Sequence, residues 1–152
     1  MNEGVRKDDG AAAPEPIDGE RIMKTVIIVD PDYAINDIGG MISGQGFMAL
    51  VMTEARTALN SLRNEMPVDL VITELLLPDM DGMEFLRAIK MKAPNLPVLI
   101  VTMEHSIESY LQAMSAGAFD YLHKPARFAD LCQCARYAVN RPGPGPVFVR
   151  AA

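Results

Sequence analysis

The chain has 152 residues, of which 49% are apolar and 22% charged, and its formal net charge is −6. This length suits one globular domain, and the acidic balance argues against a nucleic-acid-binding surface, which would be basic. No apolar run approaches the roughly 18 residues needed to cross a bilayer, and no secretion signal opens the sequence, so we expect a cytoplasmic protein without membrane contact.

Both ends of the sequence are predicted to be tails. Residues 1–22 are rich in Gly, Ala, Pro and charged residues without a hydrophobic period, a composition that buries too little apolar surface to order itself. Residues 142–152 begin with prolines alternating with glycines, which stop a helix. The folded domain is therefore predicted to span residues 23–141.

Short apolar runs alternate with segments of helical period between these tails. The predicted strands are residues 26–29, 47–52, 70–73, 98–102 and 119–122. After each of them apolar residues recur every three or four positions, as Ile35, Ile38 and Ile42 do, which predicts an amphipathic helix. Five strands each followed by a helix favour an α/β fold with a doubly wound parallel sheet and helices on both faces.

Four polar residues stand where predicted strands end. Asp30 follows the first strand, Glu74 the third and Lys124 the fifth, and Thr102 closes the fourth. The carboxyl ends of parallel strands meet at one edge of such a sheet. Two acids, a hydroxyl and an ammonium at that edge suit a phosphoryl group together with a divalent cation such as Mg²⁺.

The sequence resembles the receiver domain of response regulators over residues 24–140. The matching segments are residues 26–30, 69–82, 97–102 and 117–125, and residues 106–114 resemble the receivers of NtrC-type activators. The resemblance implies a single CheY-like (flavodoxin-like) domain with strand order 2-1-3-4-5 and a role in two-component (phosphorelay) signal transduction. NtrC-type activators continue into an ATPase and a DNA-binding domain that this sequence does not contain, so we expect a stand-alone receiver.

The resemblance places Glu74 at the phosphoacceptor position, where the family normally has aspartate. Asp30 matches the first acid of the Mg²⁺-binding pair, and Glu74 and the backbone carbonyl of Leu76 match further metal ligands. Pro31 replaces the second acid of that pair, and the longer side chain of Glu74 enters the space of a phosphoryl group. We therefore expect weak Mg²⁺ binding at most and no phosphoryl transfer from a histidine kinase, which defines a pseudo-receiver without catalytic residues.

The remaining site positions concern switching. Thr102 matches the switch hydroxyl of the family, Tyr121 its rotating aromatic residue, and Lys124 the lysine that contacts the phosphoryl group. The bond between Lys124 and Pro125 is expected to be cis. Met103 occupies a position where the family usually has a small residue, which narrows access to the site.

Three interpretations of Glu74 remain open. It is a structural acid paired with Lys124, a built-in mimic of the phosphorylated state that holds Thr102 and Tyr121 in their active arrangement, or itself a phosphorylated residue.

In the family, output surfaces lie on the fourth helix, fifth strand and fifth helix. This surface corresponds to about residues 106–140, where we expect a protein partner or a second copy of the chain to bind; it presents Tyr110, Tyr121, Arg127, Arg136 and Tyr137.

Several other polar residues are given structural roles. Asp32 is expected to cap the first helix, and Asp79 and Asp81 to serve turn formation. His105 and His123 lack a second ligand at metal spacing and are expected to be surface residues. Cys132 and Cys134 are two positions apart in a predicted helix and are expected to be reduced thiols.

An enzyme alternative rests on Asp30 and Asp32, whose Asp-x-Asp spacing after a strand resembles haloacid-dehalogenase-type (HAD) phosphatases. There the first aspartate is the nucleophile and the second is the acid and base. Thr102 and Lys124 fit further motifs of that family, but no later strand ends in its acidic metal-binding pair. The alternative also leaves the segment from Glu74 to Gly82 unexplained.

Overall fold

The computed structural model describes residues 23–33, 37–64 and 66–141. Five strands and five helices alternate along this part of the chain. The strands are β1 (Thr25–Val29), β2 (Met48–Met52), β3 (Leu70–Thr73), β4 (Val98–Thr102) and β5 (Asp120–His123). The helices are α1 (Ile38–Ser43), α2 (Ala55–Arg63), α3 (Gly82–Lys92), α4 (Ile107–Ser115) and α5 (Phe128–Asn140).

All strand pairs are parallel, and the strand order is β2-β1-β3-β4-β5, as predicted. Every residue of β1, β3 and β4 is buried, because helices cover both faces of these central strands. Predicted and observed strands agree to within one residue at each end. The predicted tails, residues 1–22 and 142–152, and the predicted helix residue Ile35 lie outside the described residues.

Two apolar layers enclose the sheet. One contains Ile27, Val29, Val71 and Ile100 with buried residues of α2, α3 and α4, among them Leu62, Phe85 and Ala113. The other contains Val26, Ile28, Ile72 and Leu99 with buried residues of α1 and α5, among them Ile42 and Leu131. Alternate residues along each strand enter opposite layers, as the pleat requires. Within the described ranges, no helix is long and apolar enough to cross a membrane.

Helix α1 is capped at its N-terminus by an aspartate side chain. Asp37 is the N-cap of α1, and its side chain accepts the N–H of Gly40 at 3.2 Å. Asp32 directly precedes Tyr33, which is itself helical, and residues 34–36 lie outside the described residues, so the predicted cap at Asp32 stays a prediction.

The loop between β3 and α3 shapes the sheet edge. Asp81 is the N-cap of α3 and accepts the N–H of Met83 at 2.7 Å, which adds a capping role to its predicted turn role. The N–H of Gly82 donates to the carbonyl of Leu75 at 3.1 Å. A Cβ atom at Gly82 would lie 2.4 Å from the Cα of Leu75, so the loop closes on itself only with glycine at this position.

Candidate functional site

The sheet register brings the four predicted strand-end residues together. Val29 pairs with Thr73, so the next residues, Asp30 and Glu74, lie side by side where β1 and β3 end. Thr102 closes β4, and the N–H of Lys124 donates to the carbonyl of Thr102 at 2.8 Å. The bond from Lys124 to Pro125 is cis, as predicted.

The Lys124 ammonium lies between the two carboxylates. Its Nζ is 2.9 Å from Oδ2 of Asp30 and 2.8 Å from Oε2 of Glu74, and all three side chains are only 2% exposed. Burial by itself lowers the pKa of Lys124, but the hydrogen bonds to Glu74 and Asp30 outweigh it, and the pKa is raised. The ammonium therefore stays charged and neutralises much of the acid pair.

Glu74 uses both carboxylate oxygens. Oε1 accepts the N–H of Leu75 at 2.8 Å, the N–H of Leu76 at 3.1 Å and the hydroxyl of Thr102. Oε2 contacts Lys124 and accepts the N–H of Met103 at 3.2 Å. Burial raises the pKa of Glu74, but the hydrogen bonds from Lys124, Thr102 and Leu76 together hold it below its ordinary value. Glu74 is thus an ionised acid whose acceptors are already engaged.

A chain of hydrogen bonds runs from Glu74 to Tyr121. The Thr102 hydroxyl donates to Glu74 and accepts the N–H of Glu104 at 3.0 Å. The carbonyl of Glu104 in turn accepts the hydroxyl of Tyr121 at 2.9 Å, and the Tyr121 side chain is buried. Burial, then the nearby charges of Glu104 and Glu74, raise the pKa of Tyr121, so it remains a donor. No sequence pattern could predict that Glu104 joins the two predicted switch positions, because it does so through its backbone.

The arrangement of these residues does not fit a Mg²⁺ ion. Oδ1 of Asp30 accepts the N–H of Asp32 at 2.9 Å, and Oδ2 faces the Lys124 ammonium. Both oxygens of Glu74 are engaged, and Pro31 has no side-chain oxygen to offer. Mg²⁺ requires several oxygen ligands in near-octahedral geometry, and the ammonium now lies where a cation would approach both acids. Among the described residues, no three or more His, Cys, Asp or Glu side chains are grouped to hold a metal ion.

Comparison with known proteins identifies the family. The sequence matches the family described as "Response regulator receiver domain" over residues 26–136, and the chain belongs to this family. It is 36% identical over 101 residues to the DNA-binding transcriptional regulator NtrC of Proteus hauseri, covering 66% of this chain and 21% of NtrC. It is 34% identical over 107 residues to the transcriptional regulatory protein ZraR of Escherichia coli K12, covering 70% of this chain and 24% of ZraR.

Solved structures agree with this assignment. A response regulator receiver domain protein from Clostridium thermocellum superposes with a TM-score of 0.73 at 29% identity, covering 78% of this chain and 96% of that one. The chain spans about a quarter or less of the two curated relatives named above. It is therefore a receiver domain of the kind found in two-component response regulators.

The phosphatase alternative finds no support. The family match is to receivers, and Asp30, its predicted nucleophile, is buried against Lys124. Asp32, its predicted acid and base, is exposed, and its backbone N–H donates to Asp30. A nucleophile held by an ammonium and a backbone N–H is poorly placed to attack a phosphate ester.

Two other contacts in the structure were not predicted from the sequence. His105 and His123 are exposed, as predicted, and their rings stack with centroids 4.6 Å apart, a contact that the sequence pattern did not predict. Asp79 does more than form a turn, because its carboxylate accepts the N–H groups of Ala55 and Arg56 at the start of α2. The pairing of β4 with β5 could have indicated the contact between the two histidines, because His123 pairs with Thr102, which lies three residues before His105.

Proposed function

We propose that this chain is a receiver whose output state does not depend on phosphorylation, with Glu74 in place of a phosphorylated aspartate. One observation carries the proposal. The Glu74 carboxylate simultaneously contacts the Thr102 hydroxyl, the Met103 N–H and the Lys124 ammonium. These donors are suited to phosphoryl oxygens, and here the protein's own carboxylate engages them.

The same reasoning favours a site that works without Mg²⁺ and without phosphoryl transfer from a histidine kinase. A phosphoryl group on Glu74 would displace donors that the carboxylate already holds in a buried setting. A divalent cation would have to displace the Lys124 ammonium from both acids. Of the three interpretations of Glu74, the built-in mimic accounts for the most contacts, because the pairing with Lys124 alone leaves the bonds from Thr102 and Met103 without a role.

Output is proposed to occur by protein contact through α4, β5 and α5, about residues 106–140. Tyr121 joins the site to this surface, because its hydroxyl lies on the hydrogen-bond chain and its ring meets that of Tyr110 edge-on at 5.6 Å. Tyr110 and Tyr137 are exposed aromatic residues, Arg127 is exposed at the N-cap of α5, and Arg136 is exposed within that helix. Aromatic and arginine side chains are typical centres of protein interfaces. A signalling protein or a second copy of the chain would bind here, with no catalytic step.

The test is intact-mass analysis after incubation with acetyl phosphate and Mg²⁺. We expect the wild-type chain to gain no phosphoryl group, because its acceptor carboxylate is engaged on both oxygens. The matched variant is Glu74→Asp, which withdraws the carboxylate by one methylene and frees space at the same position. A phosphoryl group mapped to Glu74 in the wild type would overturn the proposal. Phosphorylation of Glu74→Asp alone would assign the loss of phosphorylation to this residue.

A further inference from the structure

The whole sequence contains two histidines, and the fold places them in contact. His123 ends β5 and pairs with Thr102, while His105 follows in the loop between β4 and α4. Their rings stack with an interplanar angle of 28° and centroids 4.6 Å apart. Both side chains are exposed, so neither ring is held by the core.

Two imidazoles at this separation are close to the geometry of shared metal ligation. Imidazole nitrogen is a good ligand for Zn²⁺, Ni²⁺ and Cu²⁺ and a poor one for Mg²⁺. With metal–nitrogen bonds of about 2.1 Å, two rings that share one ion have centroids about 5 Å apart. The present separation of 4.6 Å therefore needs little backbone movement. The stacked rings have only to turn about their side-chain bonds so that one nitrogen of each faces the ion, which solvent-exposed side chains do readily.

We propose that His105 and His123 form a binding site for one divalent transition-metal ion. The described residues provide no group of three or more His, Cys, Asp or Glu side chains that could hold a metal ion. The two imidazoles are therefore the protein ligands, and water fills the remaining positions. The site is separate from the acid pair of Asp30 and Glu74, and the inference does not depend on the proposed function of Glu74.

An ion bound by His105 and His123 would also affect the structure around Tyr121. The ring of His123 meets that of Tyr121 edge-on at 5.4 Å, and His105 directly follows Glu104, which accepts the Tyr121 hydroxyl. An ion shared by the two histidines would tie the loop before α4 to the end of β5. It would thereby restrain the part of the output surface around Tyr121.

The two cysteine thiols are weak competitors for such an ion. The sequence has two cysteines, and burial raises the pKa of both thiols, to about 11 for Cys134, so they are protonated at neutral pH and poor ligands. With two histidines in all, the imidazole signals in an NMR spectrum are also simple to assign. The NMR signals of the two imidazoles therefore report on this pair directly.

The experiment is a calorimetric titration of the tag-free full chain with ZnCl₂ and NiCl₂, followed by NMR of the histidine rings. We expect one ion per chain and loss of about tenfold or more in affinity in each of His105→Ala and His123→Ala, since one imidazole alone is a weak site. The control Gln112→Ala changes an exposed residue of α4 and should bind as the wild type does. MgCl₂ should give no heat from these rings.

Two results would overturn this inference. One is a wild-type chain that binds neither ion, and the other is binding that survives unchanged in both histidine variants. Circular dichroism of each variant checks that it is folded. Phosphorylation of Glu74 in the acetyl phosphate experiment would leave this inference standing, and a failed metal titration would leave the proposal for Glu74 standing, so the two failures are distinguishable.

Discussion

Lys124 determines the charge balance at the carboxyl edge of the sheet. Two buried carboxylates repel each other, but the ammonium lies within 2.9 Å of both. The free-energy cost of desolvating three charges is offset by ion pairing and by the hydrogen bonds that Glu74 accepts from backbone N–H groups. The pKa of Glu74 is therefore lowered, and its ionised form is the stable one in the folded protein.

The stability that Glu74 contributes should depend on pH. Its pKa in the folded protein lies below the ordinary value of 4.5, so the contribution is fully present above pH 4.5 and is lost as the pH falls through the lowered value. At pH 7 we expect Glu74→Gln to lower the free energy of unfolding by about 1.5–3 kcal/mol, the range for hydrogen bonds to charged groups. At about pH 3 the difference from wild type should be smaller.

Urea denaturation of both chains at the two pH values measures this difference. The control Glu84→Gln changes an exposed carboxylate in the first turn of α3 and should have little effect at either pH. A gap between wild type and Glu74→Gln that stays constant from pH 7 to pH 3 would show that the charge of Glu74 contributes nothing to folding.

At the scale of secondary structure, the start of α2 depends on a residue from a distant loop. Its own N-cap residue, Glu54, makes no capping hydrogen bond from its side chain. Asp79 from the β3–α3 loop takes this role, accepting the N–H of Ala55 at 3.0 Å and of Arg56 at 2.9 Å. Burial raises the pKa of Asp79, but these N–H groups and the charge of Arg56 lower it overall. One carboxylate therefore joins the β3–α3 loop to α2.

Replacing this carboxylate should weaken both elements. We expect Asp79→Ala to lower the free energy of unfolding by about 1 kcal/mol, with a range of about 0.5–2 kcal/mol for the loss of a helix cap. Asp79→Asn keeps one acceptor oxygen and should fall between the wild type and Asp79→Ala. Thermal unfolding followed by circular dichroism compares the three chains. If Asp79→Ala unfolds with the same midpoint as the wild type, the contact with α2 contributes no stability.

At the scale of the whole molecule, the site and the proposed output surface are joined through Thr102. Its hydroxyl bonds to Glu74 on one side and accepts the N–H of Glu104 on the other, and Glu104 holds Tyr121. Two strand ends and one loop thus connect a buried acid to an aromatic residue beside α4. Coupling by such a route requires that breaking one of these bonds changes the position of Tyr121.

We expect Thr102→Val to shift the aromatic NMR signals of Tyr121, because valine keeps the shape of threonine but removes the hydroxyl. The matched control is Thr73→Val. Thr73 is also buried at the end of a neighbouring strand, but its hydroxyl donates to the carbonyl of Glu74 and lies outside the link to Tyr121. Signals of Tyr121 that stay in place in Thr102→Val, or move equally in Thr73→Val, would contradict the proposed coupling.

Much of the fold could be predicted from the sequence because its signals are local. Buried strands appear as short runs of β-branched residues, and helices as apolar residues at a spacing of three or four. The same runs fix which residue stands at each strand end, so Asp30, Glu74, Thr102 and Lys124 could be expected at one edge. The resemblance to receivers also predicted, from the sequence alone, that Glu74 stands at the phosphoacceptor position and Pro31 at the position of the second acid.

Contacts between distant residues were decided by the tertiary structure. The placement of one ammonium within reach of two acids, the cap that Asp79 supplies to α2 and the stacking of His105 on His123 all join segments far apart in the chain. No local pattern encodes such contacts, because they arise from loop paths and strand register that only the packed sheet fixes. The sequence by itself determined the elements and the chemistry at their ends, whereas packing decided which of those groups meet.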